Sequence, residues 1–442
     1  KEDFLKKKND LCNEVSLLSD PEVVTGIIVL IGTVKDGHTN LVLHESNPEI
    51  VNEYFHNFPF TLYPFHDGYY IIAASRENKH FVGKRVISIG NAPIEEAVAK
   101  VTGISGGDNK YYDMNELPFT INVAEVLTYY GINNSTQELS LKLMNDQGHV
   151  ETAIFRSKPY LAGLTELFRG FLPSKSDDKI VTMNYDSPNP IPLWLSNSSE
   201  NYWFKYLKEQ NTYYLQMNSN NIMEKEDFES FINRMWIEFD KNKAQKLIVD
   251  VRLNDGGQHI ETPLLEGIWA RPDLNRQGNL FLLISRVVYS ASQHLVNQME
   301  NYTKAILVGE PTGSKPNFYG SPNTFSLPNN DGFIIRSSCK FFQDVEPSDF
   351  RLSTKPDGIV YFTSDQYRNN IDPVMDIVLS FEATVEKIGQ VIEKLQIAFK
   401  KDGFSGLKKA YGMIKLQESE LGVNIDSFLF SDFDSWMVAN RQ

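Results

Sequence analysis

From about residue 179 onward, short apolar runs alternate with segments of helical character. The runs Leu247–Val251, Leu280–Ile284 and Ala305–Val308 are almost wholly apolar, and an amphipathic segment at Glu226–Phe239 precedes the first of them. Apolar runs of this length between helices are typical of strands that are buried on both faces of a sheet. The pattern therefore predicts an α/β layer with a largely buried sheet, in which chemistry usually lies at the carboxyl ends of the strands.

The regions on either side of this layer have other patterns. Asp20-Pro21 predicts the N-cap and first residue of a helix near the start of the chain, and Asp372-Pro373 predicts another that continues to about Phe399. Between residues 58 and 178, short strands such as Tyr69–Ala74 surround a single predicted helix at Ile94–Lys100. We therefore expect four parts, which are an N-terminal helical segment at 1–57, a β-rich module at 58–178, an α/β core at 179–376 and a C-terminal helical segment at 377–442.

The charge of the chain argues against nucleic acid as a partner. The 442 residues include 57 Asp and Glu against 43 Lys and Arg, and no basic patch stands out. Cys12 and Cys339 have no Cys or His neighbours at metal-ligand spacing, so we expect no zinc site and leave one long-range disulfide open. Because the chain also lacks a His-Glu-x-x-His motif and a phosphate-binding glycine loop, we expect neither a metal nor a nucleotide cofactor.

No stretch of the sequence predicts a transmembrane helix. The longest apolar stretch, Ile27–Ile31, is far shorter than the roughly 18 to 20 residues that cross a bilayer. The chain begins with Lys1 rather than Met, which suggests that an upstream segment has been removed.

Two glycines follow the first apolar strand. Gly256 and Gly257 end the segment that begins at Leu247, and glycines at a strand end let backbone N–H groups approach a ligand closely. That geometry is what an oxyanion hole requires, although an ordinary strand-to-helix turn has the same residues.

A serine follows the second apolar strand. Ser290 lies in the run Val287–Gln293, which opens a predicted helix, and the N-terminus of a helix favours a developing negative charge. The alternative is that Ser290 or Ser292 merely caps the helix.

Two residues are candidate general bases. Lys315 follows a buried strand and a Gly/Pro turn, where apolar surroundings would lower the pKa of its ammonium group, although most lysines are only solvated surface charges. His38 lies in the sequence Lys-Asp-Gly-His-Thr after a helix, where a surface or capping role is the alternative.

Three of these motifs resemble those of the C-terminal-processing, or tail-specific, peptidases of family S41. They are the strand end Asp250–Gly257, the run Tyr289–Ser292 and the turn Gly309–Gly313, in that order and spacing. In that family the first serine of Ser-Ala-Ser is the nucleophile and a lysine 25 residues later is its base, and Ser290 and Lys315 are separated by 25 residues. The resemblance likewise implies an oxyanion hole formed by the N–H groups of Ala291 and of the Gly256-Gly257 turn.

The Asp-Gly-His sequence is similar to that of the tricorn-like and retinoid-binding-protein-like members of the superfamily. The resemblance implies that His38 is a rival base and that an acid orients it, for which Glu346 is our candidate. We interpret His294, four residues after Ser290, as a surface histidine, and Asp36 and Glu310 as structural residues that order their turns.

The resemblance also implies a fold and a function. The fold is a ClpP/crotonase-like α/β protease core with a PDZ-like module at 58–178 and helical ends, and the function is serine endopeptidase activity on unfolded or tail-exposed proteins. A protein or peptide is then the substrate, no metal is required, and we expect an exported or cell-surface location in a bacterium. The alternative is a catalytically inactive protein of this fold that binds peptides or hydrophobic ligands, and the oligomeric state stays open.

Overall fold

The computed structural model describes residues 2–162, 180–327 and 330–415. Its strands form several separate sheets and its helices lie between them in the chain, so the predicted α/β class is confirmed. No helix in these three ranges is long and apolar enough to cross a membrane.

The strands are numbered in chain order. Their bounds are β1 Asn40–Val42, β2 His56–Asn57, β3 Phe60–Phe65, β4 Gly68–Ser75, β5 Arg85–Ile89, β6 Ala92–Pro93, β7 Glu138–Met144, β8 Val150–Arg156, β9 Lys158–Pro159, β10 Ile180–Thr182, β11 Tyr202–Leu207, β12 Thr212–Met217, β13 Lys246–Asp250, β14 Leu280–Ile284, β15 Ile306–Gly309, β16 Phe318–Leu327, β17 Asn330–Phe342 and β18 Gly358–Ile359.

The helices are numbered in the same way. Their bounds are α1 Glu2–Glu14, α2 Asp20–Gly32, α3 Pro48–Tyr54, α4 Ile94–Val101, α5 Lys110–Thr120, α6 Ala124–Tyr129, α7 Leu193–Ser196, α8 Phe228–Asn242, α9 Thr262–Trp269, α10 Ala291–Tyr302, α11 Ser364–Arg368 and α12 Pro373–Lys415. The last helix is interrupted at Asp402 and Gly403, where the backbone is not helical.

The predicted core is a six-stranded sheet with the order β11-β12-β13-β14-β15-β18. All neighbours are parallel except β11 and β12, so the carboxyl ends of β13, β14 and β15 lie at one edge. Side chains alternate between two buried layers, because Val249 and Leu282 pack with α8, α9 and α10, whereas Ile248 and Phe281 pack with the first turns of α12. Burial on both faces explains why these strands are apolar throughout.

The β-rich module is a separate sheet with the central order β10-β4-β5-β7-β8, to which β3 and β6 add. Its hydrophobic core includes Val24 and Val29 of α2, so the N-terminal helices pack on the module. Strand β10 begins at Ile180 and still belongs to this sheet. The exact domain boundaries stay a prediction.

A third sheet connects the chain start to the core. The hairpin formed by β16 and β17 pairs with β1, and Leu41 lies opposite Ile335. Because β1 begins two residues after His38, this pairing brings the Asp-Gly-His turn to the core.

Two local expectations differ from the structure. The N-cap of α2 is Ser19 and not Asp20, since the side chains and backbone of Ser19 and Glu22 form a reciprocal capping box. Cys12 and Cys339 are both free and exposed, so the disulfide that the sequence left open does not form.

Candidate active site

A buried ion pair fixes the end of β13. The guanidinium of Arg252 donates to both carboxylate oxygens of Asp250. At 2.8 and 2.9 Å it also donates to those of Asp372, just before α12. Asp250 also accepts a 2.7 Å hydrogen bond from the hydroxyl of Tyr214 on β12. The end of β13 is therefore joined to the neighbouring strand β12 and to the start of α12.

The glycine turn that follows lies against the candidate nucleophile. Gly256 has a φ of 119°, and a Cβ there would be 2.8 Å from Cβ of Ser290 and 2.9 Å from the backbone nitrogen of Ala291. Its own N–H donates to the side-chain oxygen of Asn254 at 3.0 Å. Within the described chain, the N–H groups of Gly257 and Ala291 have no hydrogen-bond acceptor. Of the three predicted oxyanion donors, Gly257 and Ala291 therefore have free N–H groups in the described structure. Gly256 has no side chain, which leaves room next to Ser290.

Ser290 occupies the N-cap position of α10 in an unusual conformation. Its φ of 52° and ψ of −125° lie in a region that residues with a side chain rarely adopt, and such strain is concentrated at functional sites. The hydroxyl makes no capping hydrogen bond to the described backbone. By contrast, Ser292 is fully buried in the helix. The capping alternative therefore does not account for Ser290.

The glycine turn makes a testable prediction. For the peptide cleavage that the motifs predict, Gly256→Ala should lower kcat/KM by about 100-fold, because the new methyl group would meet Ser290 and cover the Ala291 N–H. Gly148→Ala is the matched control, since Gly148 also has a positive φ but has open space around its Cβ position. Equal activity of the two variants would contradict the predicted oxyanion hole.

His38 lies in a turn that Asp36 orders. The Asp36 carboxylate accepts from the backbone N–H of His38 at 3.2 Å and from the Thr39 hydroxyl at 2.6 Å, which confirms its predicted structural role. The His38 ring stacks on Tyr289, the residue before Ser290, with 4.6 Å between the ring centroids. The fold thus brings the Asp-Gly-His turn and the serine turn together.

The environment of His38 suits a neutral base. Burial lowers the pKa of its imidazole below the usual value, while the carboxylate of Asp36 and the backbone of Tyr319 partly oppose that effect. A base whose pKa lies below neutrality is unprotonated at pH 7 and can accept a proton.

Lys315 is paired with an acid that sequence analysis did not identify. Its Nζ lies 3.8 Å from Oδ1 of Asp108, a buried residue of the module. Burial raises the pKa of Asp108 to about 6, and the charge of Lys315 opposes the rise. The neighbouring Asn109 donates to the backbone oxygens of Thr312 and Gly313, so the Lys315 loop is held by the module.

The remaining predicted residues have other surroundings. Glu346 is exposed, and none of its described hydrogen bonds joins its carboxylate to His38. Glu310 forms a two-pronged ion pair with Arg286 at 2.7 and 2.6 Å, in agreement with a structural role. The interpretation of His294 as a surface histidine is wrong, because it is only 4% exposed and bonded to Asp344. No cluster of metal-binding side chains occurs among residues 2–162, 180–327 and 330–415.

Comparisons with known proteins bear on the fold. No family profile and no curated protein matches the sequence. The structure of mature CPAF in complex with lactacystin matches with a TM-score of 0.56 at 12% identity, over 85% of this chain and 91% of that chain. Another structure of mature CPAF gives 0.56 at 13% identity, over 90% and 92%. The photosystem II D1 C-terminal processing protease gives 0.33 at 11% identity, over 78% and 84%.

These findings define the class of fold. The chain has an S41-like peptidase fold, as the motifs predicted. Within that class it is similar to mature CPAF over most of the length of both chains.

Proposed function

We propose that the protein is a serine endopeptidase of the S41 type that hydrolyses peptide bonds of unfolded or tail-exposed proteins. The observation that carries the proposal is the conformation of Ser290. Ser290 is at the N-cap of α10, but its hydroxyl makes no capping hydrogen bond and its backbone has a positive φ. The free N–H groups of Gly257 and Ala291 lie in the adjoining turns.

The proposed reaction proceeds through an acyl-enzyme. Oγ of Ser290 attacks the peptide carbonyl carbon while its proton passes to the base, for which we favour His38. The carbonyl oxygen becomes an oxyanion that accepts hydrogen bonds from Gly257 and Ala291. The carbon–nitrogen bond then breaks, the amine leaves with the proton, and water hydrolyses the ester so that Ser290 regains its hydrogen.

We favour His38 over Lys315 because of their partners. Burial keeps the imidazole of His38 neutral, whereas the ammonium of Lys315 lies beside the carboxylate of Asp108. Glu346 stays a candidate for the acid that orients the histidine, although the carboxylate nearest to the ring in the described structure is that of Asp36, at 4.0 Å from Nδ1.

The module at 58–178 is proposed to select substrates. A PDZ-like module binds an extended peptide by adding it to a sheet edge. In the described sheet β8 pairs only with β7, so it is a candidate edge for such a peptide. This role would explain a preference for exposed protein tails.

Covalent labelling tests the proposal. A fluorophosphonate reagent should modify Ser290 of the native chain, as located by mass spectrometry, and lactacystin should compete with it, since mature CPAF binds that compound. Ser290→Ala should abolish both labelling and cleavage of an unfolded protein. Ser292→Ala is the matched control and should retain both, because Ser292 is buried and its hydroxyl has no described partner.

The alternative function predicts a different result. If the native chain is neither labelled nor able to cut several unfolded substrates between about pH 5 and 9, the chain is a non-catalytic binding protein of this fold. It should then bind an apolar ligand or peptide saturably, in the presence or absence of the Ser290 hydroxyl.

A further inference from the structure

A second buried histidine lies one helical turn beyond the nucleophile. His294 is on α10, and its Nδ1 is bonded to Oδ2 of Asp344, which follows the end of β17. The same Asp344 oxygen accepts a 3.0 Å hydrogen bond from the side chain of Asn297 on α10. The pair is therefore built into the helix that Ser290 begins.

Asp344 is fixed on its backbone side as well. Its N–H donates to the side-chain oxygen of Asn317 at 3.0 Å, and Asn297 also donates to the backbone oxygen of Pro316 at 2.9 Å. Burial would raise the pKa of Asp344, but hydrogen bonds from His294 and Asn297 lower it below its usual value. An ionised carboxylate thus holds α10 against the start of β16.

Aromatic rings connect this pair to His38. The centroid of the His294 ring lies 5.0 Å from that of Phe318 and 4.9 Å from that of Phe342. Phe318 also stacks on His38, with 6.2 Å between the ring centroids and nearly parallel ring planes. His259, from the loop after the glycine turn, packs on His294 at 4.2 Å. The proposed mechanism uses neither His294 nor Asp344. A single ring, that of Phe318, nevertheless contacts both His294 and the proposed base His38.

We propose that His294, held by Asp344, is a positioning residue for His38, because its ring packs on Phe318 and the ring of Phe318 in turn stacks on His38. This inference rests on the proposed function of Ser290 and His38. It adds to that function an element that the family motifs do not contain.

The charged groups around both rings set the direction of the effect. His38 faces Asp36 from its own turn, Arg336 from β17 and His294 from α10. Burial is the largest cause of its lowered pKa, Asp36 opposes it, and positive charge on Arg336 and His294 lowers it further.

Four other charged or titratable groups lie around His294. Asp344 binds it, His259 packs on it with Glu261 at 3.4 Å behind, and Lys340 lies over the adjoining ring of Phe342. Replacing His294 by a neutral residue removes only its own charge from the surroundings of His38. The pKa of His38 should therefore rise.

The experiment is an NMR titration of the His38 ring carbon–hydrogen signal in the full chain. In His294→Gln, whose amide can still donate to Asp344, the midpoint should move to higher pH, because a positive charge that lowers the pKa of His38 is removed. The acid limb of kcat/KM should move to higher pH by the same amount. His149→Gln, at an exposed turn between β7 and β8, is the matched control and should leave both quantities unchanged.

An unchanged His38 midpoint in folded His294→Gln overturns the inference. If that variant does not fold, Asp344→Asn is the smaller change, and it should lower kcat by up to about 100-fold with little change in KM because the base is misplaced. Native kcat in folded Asp344→Asn would likewise overturn it. A native chain that cuts nothing refutes the proposed function, yet the titration of His38 still decides whether His294 acts on it.

Discussion

His38→Ala is expected to lower kcat/KM for peptide cleavage by about 1000-fold, whereas Lys315→Met should stay within about tenfold of the native chain. The difference follows from the partners of the two side chains. His38 is kept neutral by burial and packs on Tyr289 beside the nucleophile. Lys315 is already paired with Asp108. Loss of Lys315 is tolerable because burial raises the pKa of Asp108 to about 6, so that its carboxyl can take up a proton.

Rates should be measured on one unfolded substrate between about pH 5 and 9, with circular dichroism to show that both variants are folded. Because burial lowers the pKa of His38, the acid limb of the native kcat/KM profile should lie below pH 6.5, the ordinary pKa of histidine. Asp108 titrates in the same range, and Asp108→Asn separates the two groups, since it should leave that limb in place. A larger loss in Lys315→Met than in His38→Ala would reassign the base to the lysine.

The central sheet could be predicted because its signal is local. Strand β14 has the predicted bounds Leu280–Ile284, and β13 at Lys246–Asp250 is shifted by one residue from the prediction. Each strand is buried on both faces, so its whole length is apolar and stands out from its neighbours. The same applies to the start of α12, where the Asp372 carboxylate accepts hydrogen bonds from the N–H groups of Val374 and Met375, as a capping residue should.

The hairpin of β16 and β17, which carries Phe318, was not predicted, because it packs beside a strand that is distant in sequence. Strand β1 pairs with β17 across nearly 300 residues, Leu41 with Ile335, and nothing in a local window shows this pairing. His294 was misinterpreted for the same reason. Its helical spacing from Ser290 was evident, but its burial depends on Phe318 and Asp344, which reach it only through the hairpin.

The site residues divide in a similar way. The places of Ser290 at a helix start and of the glycine turn after a strand were predictable, because both are set by the local sequence. Asp108 was not, because its partner Lys315 lies in the loop between β15 and β16, in a distant part of the chain. A carboxylate becomes part of a site through burial and through the charges around it, and those are properties of the fold.

Arg252→Met is expected to lower the free energy of unfolding by about 3 to 5 kcal/mol, the range for breaking a buried ion pair from one side. Arg252 is 3% exposed and Asp250 is 0% exposed, so the carboxylates that remain cannot be solvated by water. The methionine fills a similar volume, which limits any contribution from a cavity. Urea unfolding followed by tryptophan fluorescence gives the difference.

The control for this experiment is an ion pair of the same residue types at the surface. Arg156 and Glu138 join the strands β7 and β8, with the arginine side chain 85% exposed, and Arg156→Met should cost less than about 1 kcal/mol. The buried pair also holds the turn that leads to Gly257, so Arg252→Met should slow labelling of Ser290 even where the protein is still folded. If Arg252→Met is as stable as the native chain, the carboxyl groups of Asp250 and Asp372 are protonated or bound by other groups in the variant. The ion pair would then not be what holds the turn.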